Sequence, residues 1–176
     1  MPLIPPCAVL LLVDLQERLV PAVVGHAAMI ANARLLAQGA DLLGRSIIAT
    51  EQYPKGLGPT LPGLLPNAAS VFEKTTFDAL ATQSIANRLA GANSIVVMGC
   101  EAHVCVLQTV LSLRAAGKLT FVVADATGAR TIANHQAALG RMAAHGAEIV
   151  TTEMVLFEWL GASTHPQFRT LSARMK

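Results

Sequence analysis

Short apolar runs alternate with longer amphipathic stretches along the whole chain. Residues 8–13 (AVLLLV), 46–49, 71–72, 94–98, 120–123 and 148–150 read as strands, being brief, rich in branched aliphatics and bounded by polar or turn residues. Residues 26–43, 79–90, 104–116 and 131–145 fill the gaps with helical patterns, and Gly44, Gly91, Gly117 and Gly146 each stand just past one as a stop. Strand and helix alternating in this way predict parallel strands, because a parallel crossover needs about a dozen connecting residues. Helices would then cover both faces of the sheet, which defines a three-layer, doubly wound α/β fold.

The breaking residues concentrate in one place. Pro54, Gly56, Gly58, Pro59, Pro62, Gly63 and Pro66 predict a long loop over residues 54–66. Loops of that length in compact domains are often binding features, the plainer alternative being a rigid surface connection. Residues 164–176 read as a terminal helix docking on the body or on a second subunit. With 176 residues and no linker, low-complexity segment or fixed-period repeat, residues 1–176 form one expected domain with one expected site.

Composition narrows the function classes. Hydrophobic residues make up 53% of the chain, yet the apolar run at residues 8–13 is far shorter than the ~20 residues a membrane span needs. The formal charge is +2 with Lys and Arg scattered, which offers no footprint for nucleic acid or an anionic membrane and favours a small-molecule substrate. Three cysteines without paired spacing point to a reducing compartment, and the first six residues lack the features of a secretory signal. Together these predict a cytoplasmic setting.

In an open α/β sheet, ligands bind beyond the carboxyl ends of the strands, so polar residues there are the candidates. Asp14 follows the first run, Lys74 follows VFE, and Gly99-Cys100-Glu101-Ala102-His103-Val104-Cys105 follows SIVVM and leads into a helix. Each has a plain alternative: a turn or cap for Asp14, a surface lysine for Lys74, inert packing for Cys105. Cys105 near a helix N-terminus would feel a field favouring thiolate, and Lys74 would matter if the fold brought it beside the thiol and a carboxylate. Cys7 and Cys100 read as inert packing. His103, two residues from Cys105 at a turn, reads as lining a pocket in preference to acting as its base.

The combination of DLQ at Asp14, EKTTF at Lys74 and GCEAHVCV ending at Cys105 resembles the isochorismatase-like hydrolases. EQYPKGLGPT and THPQF are similar to the subgroup of isochorismatase domain-containing proteins, and the likeness runs in order over residues 8–170. The resemblance implies a six-stranded parallel sheet of Rossmann-like topology and a catalytic triad of Asp14, Lys74 and Cys105. It also implies a cis peptide between Cys100 and Glu101, an oxyanion hole from the backbone amides of Glu101 and Cys105, and a homo-oligomer.

Departures from the family's subgroups narrow the chemistry further. Metal-bearing nicotinamidases of the family carry an Asp-x-His motif and a further His where this chain has Glu51-Gln52-Tyr53-Pro54, so neither a metal nor another cofactor is expected. True isochorismatases act on a vinyl ether without a cysteine nucleophile, so Cys105 points to acyl or imidoyl transfer. Gln16, Gln52, Tyr53, Phe77 and His103 are the expected substrate-binding residues, mixed polar and aromatic as a small amide would need. Two other readings stand beside the hydrolase: a redox-reactive thiol protein, and a catalytically idle scaffold or binding member of the fold.

Overall fold

The computed structural model describes residues 4–175. Among them, six strands form one parallel sheet: β1 (Val9–Val13), β2 (Ile47–Gln52), β3 (Ser70–Lys74), β4 (Ser94–Cys100), β5 (Leu119–Gly128) and β6 (Glu148–Val150). Their order is β3-β2-β1-β4-β5-β6, so the winding reverses between β1 and β4. That switch point is where such folds open a crevice at the carboxyl edge. Asp14 leaves β1 there, and the Cys105 segment leaves β4 beside it.

The helices are α1 (His26–Leu42), α2 (Pro54–Leu57), α3 (Gln83–Leu89), α4 (Leu107–Ala115), α5 (Ile132–Ala144), α6 (Thr152–Leu160) and α7 (Phe168–Arg174). Alternation along β1 sends Leu10 and Leu12 into a core with α1 and α6, and Val9, Leu11 and Val13 into a second core with α3, α4 and α5. In α1, Met29, Ala33, Leu36, Ala37 and Ala40 are buried at helical spacing. Leu171 of α7 is buried, so the terminal helix docks on the body. No described helix is long and apolar enough to cross a membrane.

β1 and β4 come together at Gly99. Its φ is +130°, and a Cβ there would run into the Val13 carbonyl, so only glycine allows this approach. Just before it the β4–β5 register shifts: Val97 pairs with Val122, but Gly99 pairs with Thr127. The bulge presents Asp125, whose Oδ1 accepts from the Thr152 amide (2.8 Å) and hydroxyl (2.9 Å) at the start of α6. This is why β5 continues five residues past the apolar run at 120–123.

Several expectations change in detail. Residues 79–90 form a 3-10 turn (Ala79–Ala81) and then α3, because Thr82 is extended and interrupts the helix. Residues 104–116 are divided between a π-helical turn (Ala102–Val106) and α4, which places Cys105 one turn before the α-helix. The 54–66 loop contains α2, and Thr60 forms an isolated antiparallel bridge with Gln16. Gly44, Gly117 and Gly146 have positive φ as helix stops, whereas Gly91 does not. Cys7 is exposed, which overturns its reading as a packed thiol, while Cys100 is buried.

Candidate active site

Asp14 ends β1 with φ +52°, a left-handed conformation that costs a non-glycine residue about 1–2 kcal/mol. The turn that enforces it is closed by two bonds, from the Asp14 amide to Thr50 O (3.1 Å) and from the Gln16 amide to Asp14 O (2.9 Å). The carboxylate is wholly buried. Thr50 Oγ1 donates to Oδ1 at 2.6 Å and Lys74 Nζ to Oδ2 at 2.7 Å.

Lys74 closes β3, two strands from β1 and so about 10 Å away across β2. A long stem is needed to bridge that gap, and Lys74 supplies it with no side-chain exposure. The ammonium has three N–H donors. They are taken by Asp14 Oδ2, Gln52 Oε1 (2.7 Å) and Thr76 O (3.2 Å), so the charge is fixed in place. Gln52, level with Lys74 in the β2–β3 register, is held in turn by its own donation to Thr75 O (2.9 Å).

Cys105, 5% exposed, feels both charges. Burial is the largest effect on its thiol and, with the Asp14 carboxylate, pushes its pKa up to about 12, while Lys74 pulls the other way. This corrects the expectation that a helix end would favour thiolate: Cys105 lies in a buried π-helical turn, and desolvation of the charge dominates. Burial and the neighbouring carboxylate thus favour the protonated thiol over the thiolate. Burial also raises the pKa of Cys100, whose Sγ lies 3.9 Å from Met29 Sδ, away from this chemistry.

A cavity of about 360 Å³ opens beside Lys74, lined by Tyr53, Lys55, Glu73, Thr75 and Thr82 among others. Tyr53 is half exposed, and its ring lies against Gly56, where a Cβ would strike it. Asp14 and Cys105 do not line the cavity. Gln16, expected to bind substrate, is wholly buried and structural: its Nε2 donates to Gln52 O (3.0 Å) and Gly58 O (2.7 Å), and its Oε1 accepts from the Gln52 amide (2.8 Å). Phe77 is exposed outside the lining. His103 also lies outside it and meets Asn134 of α5 through Nε2 at 3.3 Å.

The Cys100–Glu101 peptide is cis. The Glu101 carboxylate accepts from Arg130 Nε (2.9 Å), and the Glu101 amide has no acceptor among the described residues. Thr50 and Arg130 are the residues that sequence reasoning missed. Thr50 carries a legible signal as the first polar position after the apolar run of β2, whereas nothing in the sequence marks Arg130 as the partner of Glu101. Among the described residues, no group of three or more His, Cys, Asp or Glu side chains could hold a metal ion.

The Isochorismatase domain pattern matches residues 8–154. The chain belongs to the isochorismatase family. Isochorismatase domain-containing protein 1 of Salmo salar is 39% identical over 177 residues, a match that covers 99% of this chain and 62% of that protein. The chain thus spans under two thirds of that relative's length. MAR1 ribonuclease from Caenorhabditis elegans superposes with a TM-score of 0.92 at 33% identity, over 97% of this chain and 90% of that one. The Escherichia coli YcaC gene product, an octameric hydrolase of unknown specificity, gives 0.82 at 26% identity over 97% and 94%. The six-stranded parallel architecture is therefore the isochorismatase-family hydrolase fold.

Proposed function

We propose that this isochorismatase-family chain is a cysteine-dependent, metal-independent hydrolase of a small amide or related carbonyl or imidoyl compound. The observation that carries the reading is the buried Asp14–Lys74 ion pair acting on the Cys105 thiol at the switch point of the sheet. A thiol held near 12 is not ionised in advance, so a base in contact with it must take the proton as the sulfur attacks. Asp14 fills that role. Cys105 Sγ bonds to the carbonyl carbon, the backbone amides of Glu101 and Cys105 hold the oxyanion, and Lys74 stays cationic throughout.

The tetrahedral adduct then breaks its C–N bond as Asp14 returns the proton to the leaving amine, leaving a thioester on Cys105. Water, deprotonated by the same carboxylate, attacks that carbon, and the departing sulfur recovers its proton from Asp14. The sum is amide plus water to acid plus amine, with the enzyme restored. Of the expected substrate-binding residues Tyr53 lines the cavity and is placed to orient the substrate, whereas Gln52, bonded to Lys74 and Thr75, holds the lysine, and Phe77 and His103 lie outside the lining.

Ammonia release from a panel of small primary amides tests the reading. Wild type is expected to turn over at least one member, with Cys105→Ala falling to background and Asp14→Asn losing about 10²–10⁴-fold. The same proteins are offered single-stranded RNA, since the C. elegans relative is named a ribonuclease. RNA cleavage undiminished in Cys105→Ala, without ammonia release, would replace the proposal. Homo-oligomeric assembly is part of it, supported by the octameric E. coli relative and checked by light scattering. A cytoplasmic setting fits the three free thiols.

A further inference from the structure

Lys74 takes its third acceptor, Thr76 O, from the segment that leaves β3, so the place of its ammonium depends on what holds that segment. Thr75 and Thr76 are exposed, so burial does not hold it. Side-chain hydrogen bonds do. Thr76 Oγ1 donates to Asp78 O (2.8 Å) and lies 3.1 Å from Thr82 Oγ1. Asp78 in turn uses both carboxylate oxygens: Oδ1 accepts from the Leu80 amide (2.9 Å), and Oδ2 accepts from Ser112 Oγ of α4 (2.6 Å).

Capping the 3-10 turn Ala79–Ala81 needs Oδ1 alone. The bond at Oδ2 is a second one, to a helix 34 residues away, and its length is that of a strong hydroxyl-to-carboxylate contact. One turn earlier on the same face of α4, the wholly buried Thr109 accepts from the Ala79 amide through Oγ1 (3.0 Å). α4 follows directly on the π-helical turn that carries Cys105. Within the sheet, Lys74 is linked to the strand before Cys105 only through β2 and β1. Asp78 bypasses those strands and joins the lysine's segment to the helix of the thiol.

We infer that Asp78, bonded to Ser112, is a positioning residue that fixes Lys74 relative to Cys105 by tying the segment after β3 to α4. Its part in turnover rests on the hydrolase reading, whereas its effect on the thiol needs no substrate. Lys74 is the charge that favours the Cys105 thiolate, so a lysine no longer fixed in place leaves less of it.

The test is iodoacetamide labelling at pH 8, mass-mapped to Cys105, with the exposed Cys7 as internal reference. Ser112→Ala should slow labelling about 2–10-fold, the worth of one hydrogen bond, and Thr109→Val should act in the same direction. Ser112→Thr keeps the hydroxyl and should label as wild type does. A contact that served stability alone would give the opposite sign, because a buried thiol labels faster in a loosened fold. Lys118→Met, which removes three bonds to the carbonyls of Leu89, Ala90 and Ala92, is the control: it should lower the urea midpoint without slowing labelling. With an amide that is turned over, Ser112→Ala should lower kcat by a like factor and leave KM little changed. Slowed labelling beside a silent amide assay would support the positioning role and count against the hydrolase reading. Labelling unchanged or faster in Ser112→Ala, slowing that Ser112→Thr fails to reverse, or equal slowing in Lys118→Met would overturn the inference.

Discussion

Thr50 Oγ1 donates to Asp14 Oδ1 at 2.6 Å, joining adjacent strands through two side chains that have no solvent exposure. One carboxylate oxygen is thereby fixed by a hydroxyl and the other by Lys74, so the orientation of Asp14 depends on β2 as well as β3. Thr50→Val removes the donor at constant shape. A lost hydrogen bond to a charged group is worth about 1.5–3 kcal/mol, so turnover should fall about 10–100-fold, with Thr50→Ser near wild type. Amide-hydrolysis kinetics and urea unfolding measure both effects on the same protein.

Lys74→Met leaves a buried carboxylate without its counter-charge. Breaking such a pair by removing one partner costs about 3–5 kcal/mol. The Cys105 thiol also loses the one charge that lowers its pKa, so iodoacetamide should label it more slowly than in wild type at any pH below 12. Asp14→Asn does the reverse. It removes a carboxylate that raises the thiol pKa and leaves Lys74, so labelling should quicken even though turnover is lost. Mass-mapped labelling rates at Cys105 decide between these opposite signs.

Stability should fall at alkaline pH. Burial raises the Cys105 pKa from 9.0 to about 12, so the folded chain holds the proton more tightly than the unfolded chain does. The thiol's contribution is complete below pH 9 and is lost as pH rises from there towards 12, by about 1.4 kcal/mol per unit. Urea midpoints at pH 7, 9 and 10.5 on wild type and Cys105→Ala should diverge above pH 9, wild type losing stability more steeply. Parallel curves would contradict the raised thiol.

Gln16→Ala separates scaffold from substrate binding. Three hydrogen bonds hold this side chain to Gln52 and Gly58, so its loss should cost about 2–4 kcal/mol in urea unfolding. KM for the amide should change little, because Gln16 is wholly buried and outside the cavity lining.

The positions of Asp14 and Lys74 were legible because a polar residue closing an apolar strand stands at the carboxyl edge of any doubly wound sheet. Periodicity also located the six strands. It could not show β5 running on to Gly128, since ADATG has no apolar alternation and its order comes from the bulge and from Asp125 capping α6. The protonated state of Cys105 was hidden for a similar reason: a π-helical turn and an α-helical one share a hydrophobic pattern, and burial is a tertiary property. Gln16 looked like a ligand-binding amide because sequence cannot reveal that β2 and the Gly58 backbone consume its hydrogen bonds.

Rapid-quench intact-mass analysis during turnover of an amide found in the panel shows whether Cys105 carries the acyl group. A transient species heavier by the acyl group is expected, mapped to Cys105 and absent from Cys105→Ala, that accumulates when the amide step outpaces thioester hydrolysis and is released by added hydroxylamine. Turnover that persists in Cys105→Ala at the wild-type rate, with no acylated peptide in either protein, would contradict it.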